Sequence, residues 1–210
     1  MGRPAASAAQ DTAERLLDAA EDAFARHGLH AARLEDIAAA VGIRRSSLLY
    51  HYGSKEALYA AVVERTFARL GRALALAMAR GVDFRQRFDD VLAAFLTFLE
   101  GHPSLAPLVL RELVADDGPG RDLVAHQVAP VLDLVERFIR IDGHGVLAPR
   151  LPVRAALLHL ASAAILRRAS GDLAPALWGD GDHDRDLAHR LFFAQPPPDL
   201  PSPPPPYKEP

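Results

Sequence analysis

The segment RLEDIAAAVGIRRSSLLYHYGSK, residues 33–55, decides the fold of this 210-residue chain. Its first part spaces four apolar residues at i, i+3, i+4 and i+7, which places them on one face of a helix: Leu34, Ile37, Ala38 and Val41. Gly42 then supplies a residue that adopts a positive φ at a helix end without strain, and Ile43 returns to the core. Because a second helical segment follows from Arg44, the pattern predicts two helices joined by a tight turn.

The second helix is too short to be stable alone, and it is crowded with polar groups. Leu48 and Tyr52 share one stripe of this helix, which with Ile43 can anchor it to its neighbours. The other stripes expose guanidinium, hydroxyl and imidazole groups and one leucine. This chemistry suits the major groove of DNA, where arginine binds guanine and leucine contacts a thymine methyl. The alternative is an amphipathic surface helix with a solvated charged face.

The DNA-binding hypothesis divides the exposed residues into two groups. Base edges are predicted to be contacted by Arg44, Arg45, Ser46 and Leu49. Phosphates are predicted to be contacted by Arg33, Ser47, Tyr50, His51 and Lys55. Ser54 is typical of a helix N-cap, and the helix dipole disfavours a cation such as Lys55 in the turn that follows. A phosphate at that helix N-terminus explains the lysine; the alternative is that Glu56 and solvent make its position harmless.

From about Thr12 to Val63 the chain resembles the TetR-type (TetR/AcrR) one-component bacterial transcriptional regulators. The resemblance rests on a leading amphipathic helix that ends at Gly28, on the helix-turn-helix, and on the sequence GSKEAL at residues 53–58, which enters a long helix. It implies an all-α fold, with an N-terminal three-helix helix-turn-helix head and a C-terminal helical bundle for ligand binding and dimerisation. It also implies a homodimer on a palindromic double-stranded DNA operator, released by a small-molecule effector.

Three positions depart from the family pattern. Many members carry an aromatic residue where this chain has Leu49, and Ser or Thr where it has Arg44, so the base preference of a relative does not transfer. The typical phenylalanine that closes the short helix is replaced by Tyr52, whose hydroxyl needs water or a partner. None of the three departures changes the expected fold.

Composition agrees with a soluble cytoplasmic protein, and for a DNA-binding regulator we expect association with the nucleoid. Half of the residues are hydrophobic, the mean hydropathy is +0.01, and the chain has no cysteine, which excludes disulfides. No segment approaches about 18 consecutive apolar residues, so no membrane span is expected. The net charge of −3 is unevenly distributed: residues 11–43 carry three cations and seven carboxylates, a net of −4, whereas residues 44–80 carry seven cations and two carboxylates, a net of +5. The positive surplus lies at the predicted DNA contacts.

The pattern predicts five segments along the chain. Residues 1–10 form a disordered N-terminal arm, residues 11–53 the head with Asp11 as its N-cap, and residues 54–80 a connecting helix. Residues 81–194 form the effector-binding and dimerisation domain. Residues 195–210 are rich in proline and form a disordered tail, for which a proline-rich ligand of a partner domain is the less favoured alternative.

The body is expected to contain only helices, because its apolar residues recur at helical spacing. Pro130 falls inside one of them and predicts a kink or break, since it removes the bond to the carbonyl of His126. The last two long helices are expected to dimerise through a face rich in small residues: Val153, Ala156, Leu157, Leu160 and Ala164. Burial of this face within one chain is the alternative.

An effector pocket is predicted from the aromatic, apolar and imidazole groups of the body: Phe88, Phe95, Phe98, Leu108, His126, Phe138, His159 and Trp178. The alternative for each residue is an ordinary place in the core. We therefore expect a sequence-specific DNA-binding transcriptional regulator, a repressor released by a small, largely apolar effector, with an activator as a variant. A helical carrier of small molecules or a partner-binding protein, whose head no longer recognises DNA specifically, is the alternative.

No enzymatic motif is found in the sequence, so neither catalysis nor a cofactor is expected. Asp180, Asp182 and Asp184 resemble the start of a calcium loop, but Arg185 and Leu191 stand where that loop needs glycine and glutamate. The histidine pairs lack metal-ligand spacing. A phosphate-binding glycine loop and a nucleophile elbow are both absent from the sequence.

Overall fold

The structure, a computed structural model, describes residues 5–114, 119–179, 181 and 183–193. It contains ten α-helices in that part of the chain: α1 (Ala5–Ala31), α2 (Leu34–Ala40), α3 (Arg45–Tyr52), α4 (Lys55–Met78), α5 (Phe84–Gly101), α6 (Leu105–Val114), α7 (Pro119–Asp142), α8 (Val153–Ala169), α9 (Ala174–Trp178) and α10 (Asp184–Phe192). A single 3-10 turn, Gly171–Leu173, precedes α9. No strand forms among these residues, and one isolated antiparallel bridge pairs Leu147 with Phe193. The all-α prediction is confirmed.

The first helix begins earlier than the sequence predicts. α1 already includes Ala5, so Asp11 lies inside the helix and not at its N-cap, and residues 5–10 are helical where an arm was expected. The predicted end at Gly28 is confirmed, because this glycine has φ +75° and ψ 171° and interrupts the helical backbone. Residues 1–4 and the proline-rich tail lie outside the described residues.

The helix-turn-helix forms as the sequence predicts. Gly42 has φ +76° at the end of α2, and the amide of Ile43 donates to the carbonyl of Ala38, which closes the turn. Leu48 of α3 is completely buried and anchors the short helix. The Ser54 hydroxyl accepts a hydrogen bond of 3.0 Å from the amide of Ala57, which confirms Ser54 as the N-cap of α4.

The longest continuous stripe of buried residues lies on α4, which runs through the middle of the molecule. Leu58, Tyr59, Val62 and Val63 are buried at its first half, and Phe67, Leu70 and Leu74 extend the stripe along its second half. The helix packs against α1, α5 and α7. One hydrophobic core therefore continues from the head into the body, with α4 contributing to both.

A buried carboxylate joins the head to the body at Glu21 of α1. Its Oε2 accepts hydrogen bonds from Arg65 (3.2 Å) and Thr66 (3.1 Å) of α4, and its Oε1 accepts one from Ser104 (3.0 Å), which precedes α6. A buried charge is tolerated only when it is paired and hydrogen-bonded, and here both oxygens have donors. These bonds fix the position of α1 relative to α4 and α6.

A second buried polar contact joins α4 to α6. The Tyr59 hydroxyl donates a hydrogen bond of 2.8 Å to Oε1 of Glu112, and both side chains are buried. Burial, together with this hydrogen bond, raises the pKa of the Tyr59 hydroxyl well above its ordinary value, so it remains a donor. The neighbouring Arg111 donates to the carbonyls of Ala25 and Arg26 at the end of α1's regular part.

Two expectations for the body are corrected. α7 continues through Pro130, which is exposed to solvent, so of the predicted kink or break the break does not occur. The face of α8 expected to dimerise is turned inward, because Val153, Ala156 and Ala164 are buried in the core. Helix α9 and the 3-10 turn before it were not predicted from the sequence.

We predict that Tyr59→Phe lowers the free energy of unfolding by about 1–3 kcal/mol, because it leaves the buried Glu112 carboxylate without this donor. Tyr50→Phe is the matched control, since Tyr50 is 87% exposed and its hydroxyl has no comparable burial. Urea unfolding monitored by circular dichroism measures both changes. Equal stability of the two variants would contradict the importance of the Tyr59–Glu112 contact.

Candidate nucleic-acid interface

The structure exposes one face of α3 and buries the opposite one. Leu48 faces the core, and Leu49 and Tyr52 are half-buried beside it. The remaining predicted contacts of this helix and its N-cap are exposed: Arg44, Arg45, Ser46, Ser47, Tyr50 and His51. The Tyr50 and His51 rings meet edge to face, with centroids 5.5 Å apart. The polar surface that the sequence predicts is therefore present at the tip of the molecule and open to a partner.

Arg45 already has a carboxylate partner on α2. Its Nε lies 3.1 Å from Oε1 of Glu35, and both side chains are more than half exposed. An exposed ion pair of this kind contributes little free energy and is screened by salt. The pair orients the guanidinium of Arg45 and leaves its terminal nitrogens available to a base edge.

Lys55 has an internal role that the sequence analysis missed. Its ammonium donates hydrogen bonds of 2.8 Å to the carbonyl of His30, in the last turn of α1, and of 3.3 Å to that of Ala32, between α1 and α2. Those carbonyls compensate a cation that the N-terminus of α4 disfavours. The unfavourable position of Lys55 is thus explained by structure as well as by the predicted phosphate.

Four of the predicted DNA contacts surround a shallow groove beside α3. Arg33, Arg45, Leu49 and Lys55 line this groove of about 550 Å³, together with Glu35. The groove lies between the start of α2 and the start of α4, where backbone amides and cations are close together. Its shape and charge suit a phosphate of a duplex whose bases face α3.

The positive surplus between residues 44 and 80 is partly neutralised within the protein. Arg65 lies 2.8 Å from Asp18 and 3.1 Å from Glu14, and Arg69 lies 2.6 Å from Glu14. These two cations of α4 therefore pair with carboxylates of α1. The predicted DNA contacts lie on α3 and around the groove beside it.

The body contains a separate cavity of about 100 Å³, enclosed by α4, α5, α7 and α8. Its lining is entirely apolar, with Leu70 and Leu74 from α4, Phe88 and Phe95 from α5, and further aliphatic residues from α7 and α8. A dry apolar cavity of this kind accommodates an apolar group of a small molecule. Because α4 lines it, the cavity and the head share one helix.

The structure retains two of the predicted pocket residues in this cavity and places six elsewhere. Phe88 and Phe95 line it. The other three buried residues pack outside it: Phe98 stacks on His102, Phe138 packs on Phe84, and Leu108 lies in the core of α6. His126 and His159 are exposed, and Trp178 is half-buried outside the cavity. His126 bonds instead to the carbonyl of Asp122 on its own helix.

Comparison with known proteins agrees with the helix-turn-helix geometry. The family model for bacterial regulatory proteins of the tetR family matches residues 16–62. The transcriptional repressor SCO4008 of Streptomyces coelicolor is 30% identical over 141 residues, which cover 62% of this chain and 68% of that protein. The chain belongs to the TetR family.

One further relative and one solved structure carry other names. The transcriptional activator FasR of Mycolicibacterium smegmatis is 32% identical over 138 residues, which cover 62% of this chain and 61% of FasR, somewhat less than two thirds of its length. The structure of FadR from Bacillus subtilis in complex with stearoyl-CoA superposes with a TM-score of 0.70 and 14% identity, covering 87% of this chain and 98% of FadR. The TetR-type fold therefore extends through the body.

Neither a metal site nor a single membrane-spanning helix is found among the described residues of this TetR-family chain. No group of three or more His, Asp or Glu side chains among them is arranged to hold a metal ion. Asp180 and Asp182 of the aspartate triplet lie outside the described residues. No single helix in the described ranges is long and apolar enough to cross a membrane; α5 and α6 pass that test of length and composition only as a pair, bent by 92°.

We predict that Lys55→Met lowers the free energy of unfolding by about 1–3 kcal/mol, because two charge-assisted hydrogen bonds to backbone carbonyls are lost. Arg44→Met is the control, since Arg44 is exposed at the N-cap of α3. Thermal unfolding of both variants measures the difference. If the Lys55 variant is as stable as the wild type, the hydrogen bonds from Lys55 to His30 and Ala32 do not contribute to stability.

Proposed function

We propose that this TetR-family protein is a sequence-specific DNA-binding transcriptional regulator, and not an enzyme. The observation that carries the proposal is the exposed polar face of α3, held in place by the fully buried Leu48. In this proposal Arg44, Arg45, Ser46 and Leu49 contact bases. Arg33, Ser47, Tyr50, His51 and Lys55 contact phosphates, and the protein acts in the cytoplasm at the nucleoid.

We infer repression, with release by a small and largely apolar effector. The apolar cavity supports the effector, and α4 offers a direct mechanical connection from the cavity to the head. FadR, which shares this fold, was solved in complex with stearoyl-CoA, and this supports an effector with an apolar part. A ligand shifts the DNA affinity only by its differential affinity for the two arrangements of the heads, typically about 1–3 kcal/mol.

A homodimer is part of the proposal, because a palindromic site needs two copies of α3 about 34–36 Å apart. The outer surface of the C-terminal helices carries apolar side chains that face solvent in the single chain: Leu158, Leu166, Leu173, Leu177 and Leu187. Several large apolar side chains exposed on neighbouring C-terminal helices support an interaction surface there. We propose that the outward faces of α8 and α10 pair with their copies in a second subunit.

The first experiment selects bound sequences from a pool of random duplexes. We expect the pool to converge on a palindrome. On that duplex Arg45→Ala weakens binding by about 1–3 kcal/mol and relaxes the preference at one base pair, because the guanine contact is lost. Arg137→Ala, an exposed arginine of α7, is the control and leaves binding unchanged.

The alternative function, a small-molecule carrier whose head no longer recognises DNA, is favoured by the apolar cavity and by the internal use of Lys55. It predicts no enriched palindrome in the selection. Binding that depends only on salt, with equal affinity for all duplexes, would likewise exclude sequence-specific regulation.

The dimer is tested separately by light scattering coupled to gel filtration at micromolar concentration. We expect a dimer for the wild type and a folded monomer for Leu158→Glu, because a carboxylate in a closed apolar interface is unpaired. Val82→Glu is the control, since Val82 is exposed in the loop before α5. A monomeric wild type would exclude the dimer. A Leu158→Glu variant that remains a dimer would show that the subunit interface lies elsewhere.

A further inference from the structure

The apolar cavity of the body limits the size of the ligand that it holds. Its volume is about 100 Å³. For scale, a dry protein cavity of about 150 Å³ lined by Leu, Ile and Phe holds benzene or xenon. The cavity between α4, α5, α7 and α8 therefore accepts one compact molecule of about six carbon atoms at most. A long aliphatic chain does not fit, so the ligand in the FadR structure is no guide to the ligand of this chain.

The lining of the cavity offers no partner to a polar group of a ligand. All 13 lining residues are aliphatic or aromatic, and all belong to helices, in which backbone N–H and C=O groups bond to each other. A hydroxyl or a charge placed in the cavity loses its hydrogen bonds to water and gains none. The lining therefore selects a molecule without polar atoms.

The outer wall of the cavity lies close to solvent. Six of the lining residues are buried: Leu70, Leu74, Phe88, Val91, Val135 and Ile139. The other seven are half-buried: Leu92, Phe95, Val131, Leu132, Leu157, Leu160 and Ala161. These seven side chains of α5, α7 and α8 line the cavity and also contact solvent, so a change of side-chain rotamer is enough to admit a small molecule.

Two features of the cavity favour its occupation by a ring. Phe88 and Phe95 contribute aromatic side chains to the wall, and aromatic rings attract each other in offset or edge-to-face arrangements. An empty apolar cavity also lacks the van der Waals contacts of a packed core. A hydrocarbon that fills the cavity restores these contacts and stabilises the folded chain.

We propose, on the basis of the regulator function proposed above, that the effector is a compact, uncharged hydrocarbon with the size of a single six-membered ring. It occupies the cavity as a whole molecule, with no head group bound elsewhere. Leu70 and Leu74 of α4 belong to the wall, so the ligand contacts the helix that continues into the head. Selectivity comes from small size and from the absence of polar atoms.

The test compares benzene with two compounds that each change one property: phenol adds a hydroxyl, and butylbenzene adds an aliphatic chain. Thermal unfolding and NMR titration of the full chain, in sealed samples without DNA, measure the affinities. We expect phenol to bind at least about tenfold more weakly than benzene, because its hydroxyl is buried without a partner. Butylbenzene is expected to bind no more tightly than benzene, because its chain finds no further space.

A variant and a direct contact measurement assign the binding to the cavity. Ala161→Leu is expected to abolish benzene binding, because the larger side chain fills the space. Ala125→Leu, at an exposed position of α7, is the matched control and leaves benzene binding unchanged. In the unaltered chain we expect nuclear Overhauser contacts from benzene to the methyl groups of Leu70 and Leu74, and none to Leu16 in the head.

Three results would overturn the proposal: no saturable binding of benzene, binding of phenol as tight as that of benzene, or tighter binding of butylbenzene. Unchanged benzene binding by Ala161→Leu would also overturn it. If that variant fails to fold, the nuclear Overhauser contacts decide, since the proposal requires them at Leu70 and Leu74.

The duplex selection tests the regulator function independently of the ligand. An enriched palindrome without benzene binding overturns the inference about the ligand and leaves the regulator function in place. Benzene binding without an enriched palindrome supports the assignment of the cavity and overturns the regulator function.

Discussion

The structure depends on the burial of one face of α4, from Leu58 to Ala77. Its first half is held by the head through Leu58 and Tyr59, and its second half lines the apolar cavity through Leu70 and Leu74. A close-packed interior does not deform continuously, so a change at one end of such a helix is carried to the other as a displacement or rotation. The exposed face of α3 and the cavity are thereby parts of one mechanical unit.

Buried polar contacts select one relative arrangement of the helices α1, α4 and α6. Glu21 bonds to α4 and to the residue before α6, while Tyr59 joins α4 to Glu112 of α6. Each contact is satisfied in one relative arrangement of the helices, and a shift that breaks it leaves a buried polar group unpaired. A movement of α1, α4 or α6 relative to the other two therefore costs free energy, because it breaks these buried hydrogen bonds. Arg111 of α6 also donates hydrogen bonds to the carbonyls of Ala25 and Arg26, and these bonds attach α6 to α1.

The sequence predicted the head better than the body, for physical reasons. Gly28, Gly42 and Ser54 have local signatures, because positive φ and N-capping depend on neighbouring residues only. The cavity depends on which faces of four distant helices meet, and periodicity does not specify this. His126 and His159 were accordingly assigned to a pocket that neither reaches. Glu21 is a carboxylate between the apolar positions Leu17 and Phe24. Its place in this stripe indicated a buried polar contact, which the prediction missed.

The coupling of cavity and head through α4 is tested most directly by a distance measured between the two heads of the dimer. The chain has no cysteine, so Ala40→Cys, at the exposed end of α2, allows one spin label per subunit. Pulsed electron paramagnetic resonance then measures the distance between labels with and without a saturating apolar compound small enough for the cavity of about 100 Å³. The account predicts a shift of the whole distance distribution when the cavity is filled. An unchanged distribution in a sample whose cavity is demonstrably occupied would contradict it.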